Sequence, residues 1–125
     1  MVMAKDFKDL LVWREARKLT KEIYQVTAYF PEIERFGLTN QLRRAAVSVI
    51  SNIAEGQARA TTKDFLHFLT IAKGSLAEVE CQIIISHDLG YISNDQLAKI
   101  DNTRLSTLRL LILLIKSLNN KIRPT

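Results

Sequence analysis

Cysteine is almost absent: Cys81 is the only one in 125 residues. One thiol closes no internal disulfide and builds no zinc-ligand cluster. A disulfide-stapled fold is therefore excluded, and a reducing cytoplasm suits the chain. Cys81 lies between Val79 and Ile83 in an apolar helical pattern, so it reads as a small core residue rather than a nucleophile. Proline is nearly as scarce. It occurs only at Pro31 and Pro124, and nothing from Glu32 to Arg123 breaks a helix in that way. The four glycines, Gly37, Gly56, Gly74 and Gly90, are too dispersed for a phosphate-binding loop. His67 and His87 are the only histidines, and no serine sits in a nucleophile-elbow sequence, which removes a serine triad. Long hydrophobic runs are missing too. Leu110 to Ile115, bounded by Arg109 and Lys116, falls far short of the roughly 20 residues that span a bilayer. Met1 to Leu11 alternates charged and apolar residues and lacks a signal-peptide core, so no membrane association is expected.

What is present is the composition of an ordinary globular chain, 47% hydrophobic and 25% charged, of a length that suits one domain over 1–125. Eighteen Lys and Arg against 13 Asp and Glu give a net charge of +5. That balance favours anionic partners, nucleic acid or a membrane surface.

Helical periodicity fills the sequence and strand-like alternation is missing. A first helix is expected from about Asp9, as N-cap, to Tyr29, with Val12, Ala16, Leu19, Ile23, Val26 and Phe30 as its seam. It stops at Phe30-Pro31, because a residue before proline avoids the α region. Thr39 is a cap for the second helix, whose seam is Leu42, Ala46, Val49 and Ile53 and whose end is marked by Gly56. Thr61 with Asp64 approximates a capping box for the third helix. Its seam is Phe65, Leu69, Ala72, Leu76, Val79 and Ile83. Gly74 inside that helix implies a close helix contact that offsets its poor propensity. Leu89-Gly90 supplies the stop. Ser93 to Gln96 has true capping-box spacing and opens a fourth helix running to about Asn119. Short connections between four such helices imply an all-α, antiparallel up-down-up-down four-helix bundle. The run Leu108 to Ile115 leaves almost no polar face, so either it packs densely inside one bundle or it is buried against another subunit.

Three constellations bear on chemistry. A carboxylate di-metal site needs Glu-x-x-His twice, and the chain offers only Asp64-x-x-His67, once, so neither a metal nor a cofactor is expected. On the second helix Arg44, Ser48, Asn52, Glu55 and Arg59 share one face. This is either a solvated face with a Glu55–Arg59 pair or a polar network in which Glu55 orients an arginine. Arg43 points about 100° away from Arg44 and cannot share that stripe. On the first helix Arg14, Lys18 and Lys21, with Arg17 beside them, form a basic surface diluted by Glu15 and Glu22. It is either solvated helix or an electrostatic footprint for phosphates. No helix-turn-helix or RNA-recognition aromatic motif accompanies it.

Several segments are distinctive together: Asp9-Leu10-Leu11-Val12-Trp13; Phe30-Pro31 with Glu34; the run from Gly37 to Val49; Ser51-Asn52-Ile53-Ala54-Glu55-Gly56; then Arg59, Phe65, Phe68 and Gly74-Ser75 with Glu78. The chain resembles the bacterial four-helix-bundle proteins encoded in intervening sequences of 23S ribosomal RNA genes. It also looks related, as a cousin, to the accessory variability determinant of diversity-generating retroelements. The resemblance implies a homopentamer and, by analogy with that RNA-binding accessory protein, contact with nucleic acid. The signature falls on Arg43, Arg44, Asn52, Glu55, Gly56 and Arg59, and the tail beyond Gly90 carries none of it. The expected function is non-enzymatic: an oligomer that binds RNA or DNA without base readout through Arg14, Arg17, Lys18, Lys21, Arg43, Arg44 and Arg59. The alternative is a protein-interaction scaffold that binds no nucleic acid.

Overall fold

A computed structural model describes residues 6–122. Met1 to Lys5, and with them part of the leader reading, lie outside the described residues, as does Pro124. Four α-helices make up the fold: α1 (Leu11–Thr27), α2 (Leu38–Gln57), α3 (Thr62–Asp88) and α4 (Asn94–Ile122), with no strand among the described residues. Each helix packs on its sequence neighbours, and α1 closes the ring by packing on α4. With connections this short, sequential helices that pack along one another run in opposite directions.

Most seam residues read from the sequence for the first three helices form the core with α4, while Val26 and Phe65 pack against it only partly buried. Val12, Ala16, Leu19 and Ile23 of α1 meet Leu42, Ala46, Val49 and Ile53 of α2, Leu69, Ala72, Leu76, Val79 and Ile83 of α3, and Ile100, Leu111 and Leu118 of α4 in one buried cluster. Two caps follow the sequence. The Thr61 hydroxyl accepts the Asp64 amide at 3.1 Å. Ser93 and Gln96 exchange reciprocal bonds at 2.8 and 3.1 Å. Gly90 ends α3 with φ of +78°, a conformation that glycine adopts without strain.

Other expectations need correction. Asp9 does not cap α1. It closes a 3-10 turn, Phe7–Asp9, which Asp6 caps instead, and α1 starts at Leu11 after an extended Leu10. The same helix ends at Thr27, two residues before Tyr29. Thr39 lies inside α2, and Gly37 is its N-cap. The orphan Leu38 amide is taken by Glu34 Oε1 at 3.1 Å, so a loop carboxylate does the work of a capping hydroxyl. Helix α4 runs to Ile122 rather than Asn119. Cys81 is exposed, because two residues along a helix from the buried Val79 and Ile83 is the opposite face. Gly74 is exposed as well, and an added Cβ there would meet nothing within 4 Å. The close approach is at Gly56, where a Cβ would stand 2.9 Å from both Phe65 Cδ1 and Phe68 Cβ.

The core also holds polar groups that periodicity did not mark. Arg104 of α4 is 4% exposed. Its guanidinium reaches Glu80 of α3 at 3.0 Å and Asp101 at 2.7 Å. Thr103 and Thr107 are buried beside it and return their hydroxyls to carbonyls four residues back. At one end of the bundle, the loop between α1 and α2 is pinned by Phe30, which packs on Tyr91, and by Glu34, whose Oε2 accepts the Tyr91 hydroxyl at 2.9 Å. That hydrogen bond, helped by desolvation and by the Glu34 charge, raises the Tyr91 pKa above its ordinary 10.0.

Candidate nucleic-acid interface

The seven basic residues singled out from the sequence fall in three places. The first is a depression of about 330 Å³ beside α1, lined by Arg14, Arg17, Lys18, Lys21, Glu22 and Gln25 together with Lys99 of α4. The i, i+4, i+7 spacing aligns the α1 cations, and the α1–α4 contact brings Lys99 to them. Some of these side chains are held in place. Arg14 Nε donates to the Lys8 carbonyl at 2.9 Å, Arg17 lies over the Trp13 ring, and Lys18 stands 4.0 Å from Glu15. The depression supplies positive charge and N–H donors, which suits phosphate oxygens.

The second place is a depression of about 480 Å³ lined by Tyr24 of α1 and by Asn40, Arg43, Arg44, Val47, Ser48 and Ser51 of α2. Arg43 is committed to α1. Its Nε donates to Thr27 Oγ1 at 2.8 Å, and its guanidinium lies 4.6 Å from the centre of the Tyr24 ring. Arg44 is exposed and also borders a polar cleft between α2 and α3 with Gln41, Ser48, Ser75, Glu78 and Gln82. The third place holds Arg59 alone, over Phe68 at 4.7 Å and bonded to Glu55 at 2.6 Å.

The polar stripe of α2 divides in two. Asn52 donates to the Ser48 carbonyl and hydroxyl, and Ser48 shares a 2.8 Å hydrogen bond with Ser75 across the α2–α3 contact. Glu55 bonds Arg59 rather than Asn52. Both partners are about half exposed, 54% and 46%, so the pair stands in solvent and contributes only about 0.3–0.5 kcal/mol. Sequence reasoning did not assign Gln25, Lys99 or Tyr24 to these surfaces, and Asn40 and Val47 entered only within the distinctive run from Gly37 to Val49. Lys99 gave no sign of its α1 neighbours. Among the described residues no group of three or more His, Cys, Asp or Glu could hold a metal, and His67 of the Asp64-x-x-His67 match is exposed. No described helix is long and apolar enough to cross a membrane.

Comparison with solved structures finds this arrangement in a Bacteroides thetaiotaomicron protein of unknown function from the S23 ribosomal protein family. That protein superposes with a TM-score of 0.79 at 25% identity, covering 85% of this chain and 99% of the other. No curated protein matches the sequence. The family described as 23S rRNA-intervening sequence protein matches residues 8–112, which is most of the chain and includes the α1 basic surface and all of α2 and α3. By that match and its bundle architecture, the chain belongs to the 23S rRNA-intervening sequence protein family.

Proposed function

We propose that this protein is a non-enzymatic cytoplasmic homo-oligomer that binds RNA or DNA through its basic surfaces without reading bases. The observation that carries the proposal is the α1–α4 depression, where Lys99 joins the four cations of α1 in one concave surface. Phosphates are met there by several donors at once, and phosphate contacts position a nucleic acid without specifying its sequence. One subunit offers few such contacts. An oligomer, expected to have five subunits from the resemblance, repeats the surface and raises effective concentration for each further contact.

The test is a binding titration of structured RNA and duplex DNA across salt concentrations. Log K should fall linearly with log salt at a slope of about −0.9 per duplex phosphate neutralised. The triple replacement of Arg14, Lys18 and Lys21 by alanine should flatten the slope and preserve helix content. Absence of binding at low salt by the assembled protein overturns the reading. It would leave the scaffold alternative, which draws support from the loop side chains Tyr29, Ile33 and Phe36, each at least 85% exposed.

A further inference from the structure

Tyr24 of α1 lines the depression of about 480 Å³ and is 42% exposed, outside the buried core. Its ring is backed by an arginine that α1 itself holds. Arg43 Nε donates to Thr27 Oγ1 at 2.8 Å and its Nη2 to the Tyr24 carbonyl at 3.4 Å. The Thr27 hydroxyl is fixed in turn, donating to the Ile23 carbonyl at 2.7 Å. The Arg43 guanidinium, 4.6 Å from the ring centre, thus forms with Tyr24 an anchored cation–aromatic pair. Arg44, about 100° further round the helix, lines the same depression. It is exposed and pairs with no carboxylate among the described residues. The lining holds no acid at all, whereas Glu22 and Glu78 line the other two depressions. A flat aromatic surface, a free guanidinium and the neutral polar groups of Asn40, Ser48 and Ser51 therefore meet in one place.

We propose that this depression takes one unpaired nucleotide, its base stacked on the Tyr24–Arg43 pair and its phosphate on Arg44. Two arginines without an acid repel a cationic ligand. A bare anion would use Arg44 and leave the ring idle. An anion that carries a flat ring uses both, and the space is of small-ligand size. A nucleotide is such an anion, and stacking on tyrosine is how unpaired bases are commonly held. A duplex does not qualify, because its bases are stacked on one another and only its phosphates face outward. Every base has a π-face, so the contact tolerates any sequence. The nucleotide can be free or part of a single strand or loop. In the second case the inference rests on the nucleic-acid reading above. The α1–α4 depression then meets the phosphates of any strand, and this one adds a preference for strands with unpaired bases.

The experiment titrates the full chain with five probes at several salt concentrations. They are a short oligouridylate, the same strand lacking its bases, a duplex RNA with the same number of phosphates, UMP and inorganic phosphate. The oligouridylate should bind about fivefold or more tighter than the abasic strand and the duplex, the low end of what one stacked base contributes. Tyr24→Ala should lose that factor at every salt concentration and leave the slope of log K on log salt unchanged, since a stacked base releases no phosphate counterion. It should bind the abasic strand as the parent does, which also shows that it is folded. Tyr24→Phe keeps the ring and should bind like the parent, whereas Arg44→Gln should flatten the slope. The abasic comparison uses the parent alone and stands even where Tyr24→Ala fails to fold. UMP bound tighter than phosphate through Tyr24, with no strand bound, assigns the site to free nucleotide, sustains the inference and removes the nucleic-acid reading. Single strand, abasic strand and duplex bound alike overturn the inference and leave that reading standing. A preference for bases that survives Tyr24→Ala, a Tyr24→Phe variant as weak as Tyr24→Ala, an Arg44→Gln slope equal to the parent's, or no binding of any probe also overturns it.

Discussion

Gly56 and Gly74 are both helical glycines, and alanine should move stability in opposite directions at the two. At Gly56 a new methyl would stand 2.9 Å from Phe68 Cβ, 2.9 Å from Phe65 Cδ1 and 3.3 Å from the Phe65 carbonyl oxygen. The Phe65 ring can turn. Phe68 Cβ moves only with the α3 backbone, so the corner between α2 and α3 must open by a few tenths of an ångström. Overpacking of this kind costs about 1–3 kcal/mol. Alanine returns about 1 kcal/mol through helix propensity. Two contacts this short place the cost in the upper part of its range, so Gly56→Ala should lose about 1–2 kcal/mol net. At Gly74 nothing lies within 4 Å, and only the propensity gain of about 1 kcal/mol remains. For a chain of this size the changes correspond to about 3–5 °C of Tm per kcal/mol. Urea denaturation followed by circular dichroism at one fixed protein concentration reads both, since concentration affects an oligomer's apparent stability. A Gly56→Ala variant as stable as the parent would refute the close approach. A destabilised Gly74→Ala variant would mean that another copy of the chain fills the open space.

Arg104→Ala should cost about 2–4 kcal/mol, below the full range for breaking a buried ion pair because its carboxylate partners are 48% and 37% exposed. Arg104→Met keeps the packing stem and should recover most of that in the same denaturation assay. Tyr91 is an acid whose folded pKa is raised, so the folded state holds its proton more tightly than the unfolded chain. Its stabilisation is complete below the unfolded value near 10.0 and is lost as pH rises from there through the folded value; Tyr91→Phe should remove that part of the pH dependence, seen as a shallower fall of Tm with rising pH above 10.

Much of the fold was legible because its signals are local. Seam residues recur every three or four positions, and Ser93 with Gln96 or Thr61 with Asp64 need only short spacing to find each other. Some failed readings were local, as for Cys81, whose helical phase puts it opposite Val79 and Ile83, whereas others depended on contacts between elements. Thr39 looked like a cap, yet the carboxylate that meets the first amide of α2 comes from Glu34 in the preceding loop. Gly74 looked like a close contact because glycine inside a helix asks for a reason, and only the tertiary arrangement shows that Gly56 has it. Arg104 and Glu22 fell on predicted helices as ordinary charges. Their burial is set by which helix lies opposite, and periodicity carries no such information. The same limit applied to the interface. The cations of α1 could be aligned from their spacing, whereas Lys99 joins them only through the α1–α4 contact.

The apolar run of α4 left two readings open, and the structure narrows the question to two side chains. Leu111 is fully buried, and Leu108, Leu110, Leu114 and Ile115 pack against the core. Packing within one bundle therefore accounts for most of the run. Ile112 and Leu113 remain 44% and 62% exposed, and intrachain contacts give no reason for two branched aliphatics there. Leu113→Asp separates the alternatives. An exposed substitution changes the folded subunit by no more than about 0.5 kcal/mol. If the face is buried between subunits, the same aspartate is trapped in an apolar contact and the assembly should dissociate at micromolar concentration, as light scattering would show. Nucleic-acid affinity should then weaken and its salt slope flatten, because each freed subunit holds only its own basic depression and the added charge is a single unit. An unchanged assembly mass would place the subunit contact elsewhere. A parent protein already monomeric by scattering would remove the oligomer, and with it the multivalency on which the nucleic-acid reading depends.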